Sequence, residues 1–137
     1  MGKVMGLLLP DERDLSQITN WLQRLARAVE HTDYVAGRRL QDAQISVFAA
    51  NVPEMLRGID KVQEKSWERV WPSVDRCSHA KQEMMALVSP DQKMAVVAMP
   101  ANFAGKGFDV DVRVTYALWR TDQASDWRAA HAHYSTP

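Results

Sequence analysis

The chain has 137 residues, enough for one domain with a real hydrophobic core, and its 46% hydrophobic and 25% charged content is that of an ordinary globular protein. Lys plus Arg and Asp plus Glu each number 17, so no net field draws the chain to nucleic acid or anionic lipid, and neither is an expected partner. The single cysteine, Cys77, excludes an intramolecular disulfide and suits a reducing compartment, and the apolar run in the first ten residues is too short for a signal or a membrane span, so a cytoplasmic location is expected.

One domain is expected over residues 1–137, with 1–10 a flexible or loosely packed lead-in. Asp11 after Pro10, with Glu12 and Asp14 following, reads as a helix start, and Leu15, Ile18, Leu22, Leu25 and Val29 form its apolar stripe at spacings of three and four. Thr32-Asp33 restarts a shorter helix through Tyr34, Val35 and Leu40, although Gly37 weakens it. Ile45–Ala49 reads as a strand and Asn51–Gly58 as a loop into a third helix, which gathers Ile59, Val62, Trp67, Val70 and Trp71 on one side and ends at Pro72. Arg76–Val88 and Met94–Ala101 read as strands separated by the turn cluster Ser89–Lys93. Gly105 and Gly107 mark a second turn, and composition makes Met99–Gly107 a flexible stretch beside any pocket.

The last third carries the clearest signal. Val110–Trp119 and Trp127–Tyr134 are rich in β-branched and aromatic residues and flank the polar segment Arg120–Asp126, the pattern of a β-hairpin. The predicted order is helix, helix, strand, helix and a four-strand antiparallel meander, an α+β fold with one curved sheet covered by helices on one face. His131 and His133 are two apart, so a strand places both imidazoles on one face.

Three stretches in this order resemble the nuclear transport factor 2-like superfamily, and within it the SnoaL-like, ketosteroid isomerase-like group. They are Ala28-Val-Glu-His-Thr-Asp33, then Leu56-Arg-Gly58 running into Ile59–Trp67, then Trp119-Arg-Thr-Asp122 with Trp127–His133 and its His-x-His ending. The association domain of calcium/calmodulin-dependent kinase closes similarly. The resemblance implies a cone-shaped α+β barrel, a curved antiparallel sheet wrapped around N-terminal helices, with a pocket at the wide end and dimerisation through the outer sheet face. Superfamily members include isomerases, cyclases, dehydratases and epoxide hydrolases as well as modules that only bind or assemble, so the fold names a site and not a reaction.

The isomerase base position of the family falls near Ala49, which cannot take a proton. The Asp-Arg-Asp arrangement of the fold's epoxide hydrolases has an echo in Asp109, Asp111 and Arg113, but their alternation with Val110, Val112, Val114 and Tyr116 sends the charged set outward. His131 and His133 are the best catalytic candidates, since neutral imidazole exchanges protons near pH 7; the alternative is a pair of structural histidines satisfied by neighbours. No metal is expected, because His-x-His gives two ligands and the available thirds (His31, His79, Cys77 or a carboxylate) lack diagnostic spacing. No cofactor is implied.

The expected pocket is largely apolar, walled by Trp and Met. Trp21, Trp67 and Trp71 would line it, and Tyr116, His131 and His133 would give it direction. Trp119 lies on the outward parity, and a large aromatic there suggests a covered face and a homodimer. The function expected is binding of a hydrophobic small molecule, with lyase, isomerase or hydrolase chemistry on a cyclic compound as one form of it. The alternative is a non-catalytic dimeric association or ligand-sensing module.

Overall fold

The computed structural model describes residues 6–137, so half of the expected lead-in lies outside the described residues. In the other half, Leu8 bridges Val88 through two backbone hydrogen bonds of 2.7 Å. Leu7 and Leu9 on either side of it are exposed.

Helix α1 (Glu12–Glu30) starts where the sequence indicates, with the Asp11 side chain accepting from Asp14 N at 2.7 Å. Its buried stripe begins one turn later than expected. Leu15 is 41% exposed, and Asp14 is buried in its place. The reason is an ion pair: Asp14 Oδ1 accepts from Arg120 Nη2 at 2.7 Å, and the Arg120 guanidinium lies 3.9 Å from the centre of the Trp127 ring. Helix α2 (Tyr34–Arg39) is capped by Asp33, which accepts from Ala36 N at 3.0 Å.

Strand β1 (Gln41–Phe48) begins four residues before the expected strand, and β2 (Leu56–Arg57) pairs with it inside the stretch read as a loop. The third helix is one helical stretch over 59–73: α3 (Ile59–Val62), a π-turn (Gln63–Trp67), α4 (Glu68–Val70) and a 3-10 turn (Trp71–Ser73). Strands β3 (Arg76–His79) and β4 (Met85–Val88), then β5 (Met94–Gly105), β6 (Phe108–Trp119) and β7 (Arg128–Ser135) complete the chain.

The sheet runs β2-β1-β7-β6-β5-β3, with β4 also on β5; all pairs are antiparallel except β1 with β7. It is curved and unclosed, and its inner face packs on α1 and the 59–73 stretch. The single strand expected over Arg76–Val88 is two, both paired with β5 and interrupted by a 3-10 turn at Lys81–Glu83. Pro100 accounts for the break. Its carbonyl accepts from Ala80 N at 2.9 Å, so its missing N–H faces the same edge and cannot continue the ladder. The stretch Met99–Gly107 is correspondingly not a loop. It is the end of β5 and a two-residue turn, Lys106-Gly107, in which Gly107 takes φ +73.

Candidate functional site

Alternation along the strands decides what faces the helices. On β3, Cys77 and His79 point inward while Arg76 and Ser78 are exposed; on β7, Ala132 and Tyr134 point inward. Between these strands, β1 and the helices lies a cavity of about 260 Å³. Its wall is formed by aliphatic residues (Leu25, Val29, Ile45, Val47, Val62, Val70, Val110, Val112), by Phe103 and Phe108, and by Trp67 and Trp71. Its polar groups are Gln41, Asn51, Ser66, Cys77, His79, Tyr134 and Thr136, and no Asp, Glu, Lys or Arg is among the lining residues.

The tryptophan wall is an aromatic stack. Trp67 and Trp71 lie 4.3 Å apart at 18°, and Tyr34 stacks on the far side of Trp71 at 5.6 Å. The π-turn carries Ser66 and Trp67 together to the buried side, and such turns recur at functional sites. Ser66 Oγ donates to Asn51 Oδ1 at 3.2 Å, which joins the helix to the end of β1.

Three side chains form a buried hydrogen-bonded chain. The Tyr134 hydroxyl donates to the Tyr116 hydroxyl at 3.1 Å, and that hydroxyl lies 3.1 Å from His79 Nε2. With its oxygen accepting from Tyr134, Tyr116 has its own proton free to donate to the neutral His79 ring. Burial first, and Lys81 second, depress the His79 pKa to about 4, so the ring is neutral at neutral pH. Burial also pushes both phenols up. It likewise pushes the Cys77 thiol to about 12, with Glu30 adding to it, so no nucleophilic thiolate forms there.

The family model described as the SnoaL-like domain matches residues 18–137. The chain belongs to the SnoaL-like domain family. No curated protein matches the sequence. Among solved structures, a nuclear transport factor 2-like protein of unknown function from Pseudomonas putida KT2440 is similar at 17% identity and TM-score 0.73, over 89% of this chain and 85% of that one. A candidate dehydratase of the same fold family from Streptomyces avermitilis matches at 19% identity and TM-score 0.70, over 90% and 96% of the two chains. A candidate ketosteroid isomerase from Parabacteroides distasonis matches at 16% identity and TM-score 0.68, over 88% and 85%. At these identities the likeness is one of fold.

In this SnoaL-like chain the structure divides the residues singled out from sequence. Trp67 and Trp71 line the cavity. Trp21 and Tyr116 do not; they pack edge-on at 4.9 Å in the core behind it, with Trp21 Nε1 donating to Leu40 O at 3.1 Å. His131 and His133 are corrected. Their neighbour Ala132 takes the inward position, so both imidazoles lie on the outer face. There His131 Nδ1 is 2.8 Å from Ser46 Oγ, and the Phe48 ring lies 5.8 Å from His131 and 5.5 Å from His133. The expected Met wall is also corrected, since no Met is among the lining residues and Met99 is packed in the core.

Ala49, near which the sequence put the family's base, lies on the cavity wall and presents a methyl group there. Asp109 and Asp111 are exposed, both accept from Asn102 Nδ2 at 2.8 Å, and Arg113 donates to Thr136 O at 3.2 Å. They are surface charges. Sequence reasoning considered His79 only as a metal ligand and passed over Gln41. For His79 the signal was present in the alternation Arg76-Cys-Ser-His79. Among the described residues no three His, Cys, Asp or Glu side chains are grouped to hold a metal ion, and no helix is long and apolar enough to cross a membrane.

Proposed function

We propose that this SnoaL-like protein binds a compact, uncharged, ring-containing molecule in the cavity between the sheet and the 59–73 helical stretch. The observation that carries the reading is the composition of the wall: apolar and aromatic, with a few polar groups and no charged side chain. A ligand charge would lose its hydration there with no counter-charge to replace it, which disfavours ionic ligands. A volume of about 260 Å³ is near the lower end of small-molecule sites, which suits one or two rings.

Binding is favoured over proton abstraction by two features. The lining residues offer no carboxylate, and an imidazole with a pKa of about 4 is a poor base at neutral pH. Thermal-shift and chemical-shift titrations against neutral one- and two-ring compounds test the reading. A compound at a hundred times its Kd adds about 2.7 kcal/mol, which raises Tm by several degrees. Val110→Trp, which fills the cavity, abolishes the effect. Absence of any shift across such a set sinks the reading and leaves a non-catalytic association module.

We propose further that the outer sheet face pairs with a second copy of the chain. Phe48 is 42% exposed there beside His131 and His133, an aromatic ring that a second copy could cover. Sedimentation equilibrium of the wild type against Phe48→Glu tests it, a concentration-independent monomer in the wild type being the contrary result. A cytoplasmic location is consistent with the single buried thiol.

A further inference from the structure

Gln41 stands at the first position of β1, where the backbone is pinned from two sides: Leu40 O accepts from Trp21 Nε1 at 3.1 Å and from Ala129 N at 2.9 Å. Its register partner on β7 is Ala129, after which the pairing slips before resuming at Ser46 with His131. Irregularities of this kind re-aim side chains beside functional sites. Gln41 lines the cavity and is 8% exposed, yet its carboxamide has no hydrogen-bond partner among the described residues. Neither amide atom is sealed away from space, since Trp127 Nε1 is the buried, unpaired side-chain atom among those residues. A glutamine of structural value spends its amide on a neighbour, as the partly buried Gln17 does in accepting from Arg120 Nη1 at 2.7 Å.

The carboxamide opens its free donor and acceptor onto the cavity, and a ligand with matching groups can meet both at once. We infer that Gln41 is the residue that reads the ligand, and that the ligand is a neutral ring compound presenting an adjacent donor and acceptor, as a cyclic amide does. A primary carboxamide offers an N–H and a C=O side by side, and the edge that satisfies both at once is an N–H next to a C=O in one plane. His79 supports the same class, since its Nδ1 has no partner among the described residues and adds a second neutral polar group to the wall. The inference rests on the proposed role of the cavity as a ligand site.

The test pairs 2-quinolinone, a two-ring cyclic amide, with naphthalene, which has the same outline and no polar edge. Both are titrated by NMR into wild type, Gln41→Leu and Gln41→Glu, following the indole N–H signals of Trp67 and Trp71. The wild type binds 2-quinolinone at least about 10-fold more tightly than naphthalene, the scale of one well-placed pair of hydrogen bonds. Gln41→Leu abolishes that preference while keeping naphthalene, and Gln41→Glu, which presents two acceptors and a charge, loses both. In the absence of any compound, Gln41→Leu has a Tm equal to or a few degrees above the wild type, whereas a purely structural glutamine would lower it. Equal affinity for the two compounds in the wild type, or an undiminished preference in Gln41→Leu, overturns the inference and leaves the cavity reading standing. Failure of both compounds to bind any variant overturns both.

Discussion

The Tyr116 hydroxyl stands 3.1 Å from His79 Nε2 and gives a buried imidazole its one hydrogen-bond partner among the described residues. Burial, reinforced by Lys81, holds the His79 pKa near 4 against an ordinary 6.5. Between those two values the unfolded chain holds more protons than the folded one, so stability falls as pH falls through this window and is unaffected by His79 above it. The loss by pH 4 is on the order of 3 kcal/mol. Urea midpoints between pH 7.5 and 4 measure it, and a His79→Phe variant shows a shallower acid loss.

Tyr116→Phe removes one oxygen and strands two polar groups, His79 Nε2 and the Tyr134 hydroxyl. The expected cost is ~1–3 kcal/mol, more than a surface Tyr→Phe change would bring. A double-mutant cycle with Tyr134→Phe shows coupling, since the second change removes a group the first has already unpaired.

A Cβ on Gly37 would lie 2.6 Å from Trp71 Cη2 and 3.1 Å from Trp67 Cζ3. Those indoles are stacked on each other and on Tyr34, so neither can move aside without opening the cavity wall. Gly37→Ala gains about 1 kcal/mol of helix propensity and loses ~1–3 kcal/mol to overpacking. The net expectation is a lower Tm and a shift in Trp fluorescence from the altered wall.

Asp14 and Arg120 form an ion pair whose side chains are 4% and 0% exposed. Asp14→Ala leaves a buried guanidinium without its counter-charge and costs ~3–5 kcal/mol. Asp14→Leu combined with Arg120→Met is much closer to the wild type, because neither charge remains. Equilibrium urea unfolding of the three proteins separates these outcomes.

His131→Ala and His133→Ala lie on the far side of the sheet from the cavity, so binding of any cavity ligand is unchanged by either. Loss of the His131–Ser46 contact costs ~0.5–1.5 kcal/mol of stability. Replacing both histidines weakens self-association if the outer face is the dimer contact, which sedimentation equilibrium measures.

The sequence by itself determined the helices, the closing hairpin and the inward set of β6. Those depend on local signals: the cap at Asp11, the apolar stripe of α1, and the uninterrupted alternation from Val110 to Trp119. The same parity rule put His131 and His133 on one face, and it was sufficient to say that they share it. Which face is the inner one depends on where Ala132 meets the helices, a fact of tertiary packing. The site was also divided among segments far apart in the chain. His79 bonds Tyr116 across 37 positions and Gln41 faces a wall built mainly from distant strands, so no local pattern marks either as a pocket residue. Local periodicity is set by backbone geometry and is legible in one segment at a time; a cavity exists only between segments, and only the packed structure decides what it contains.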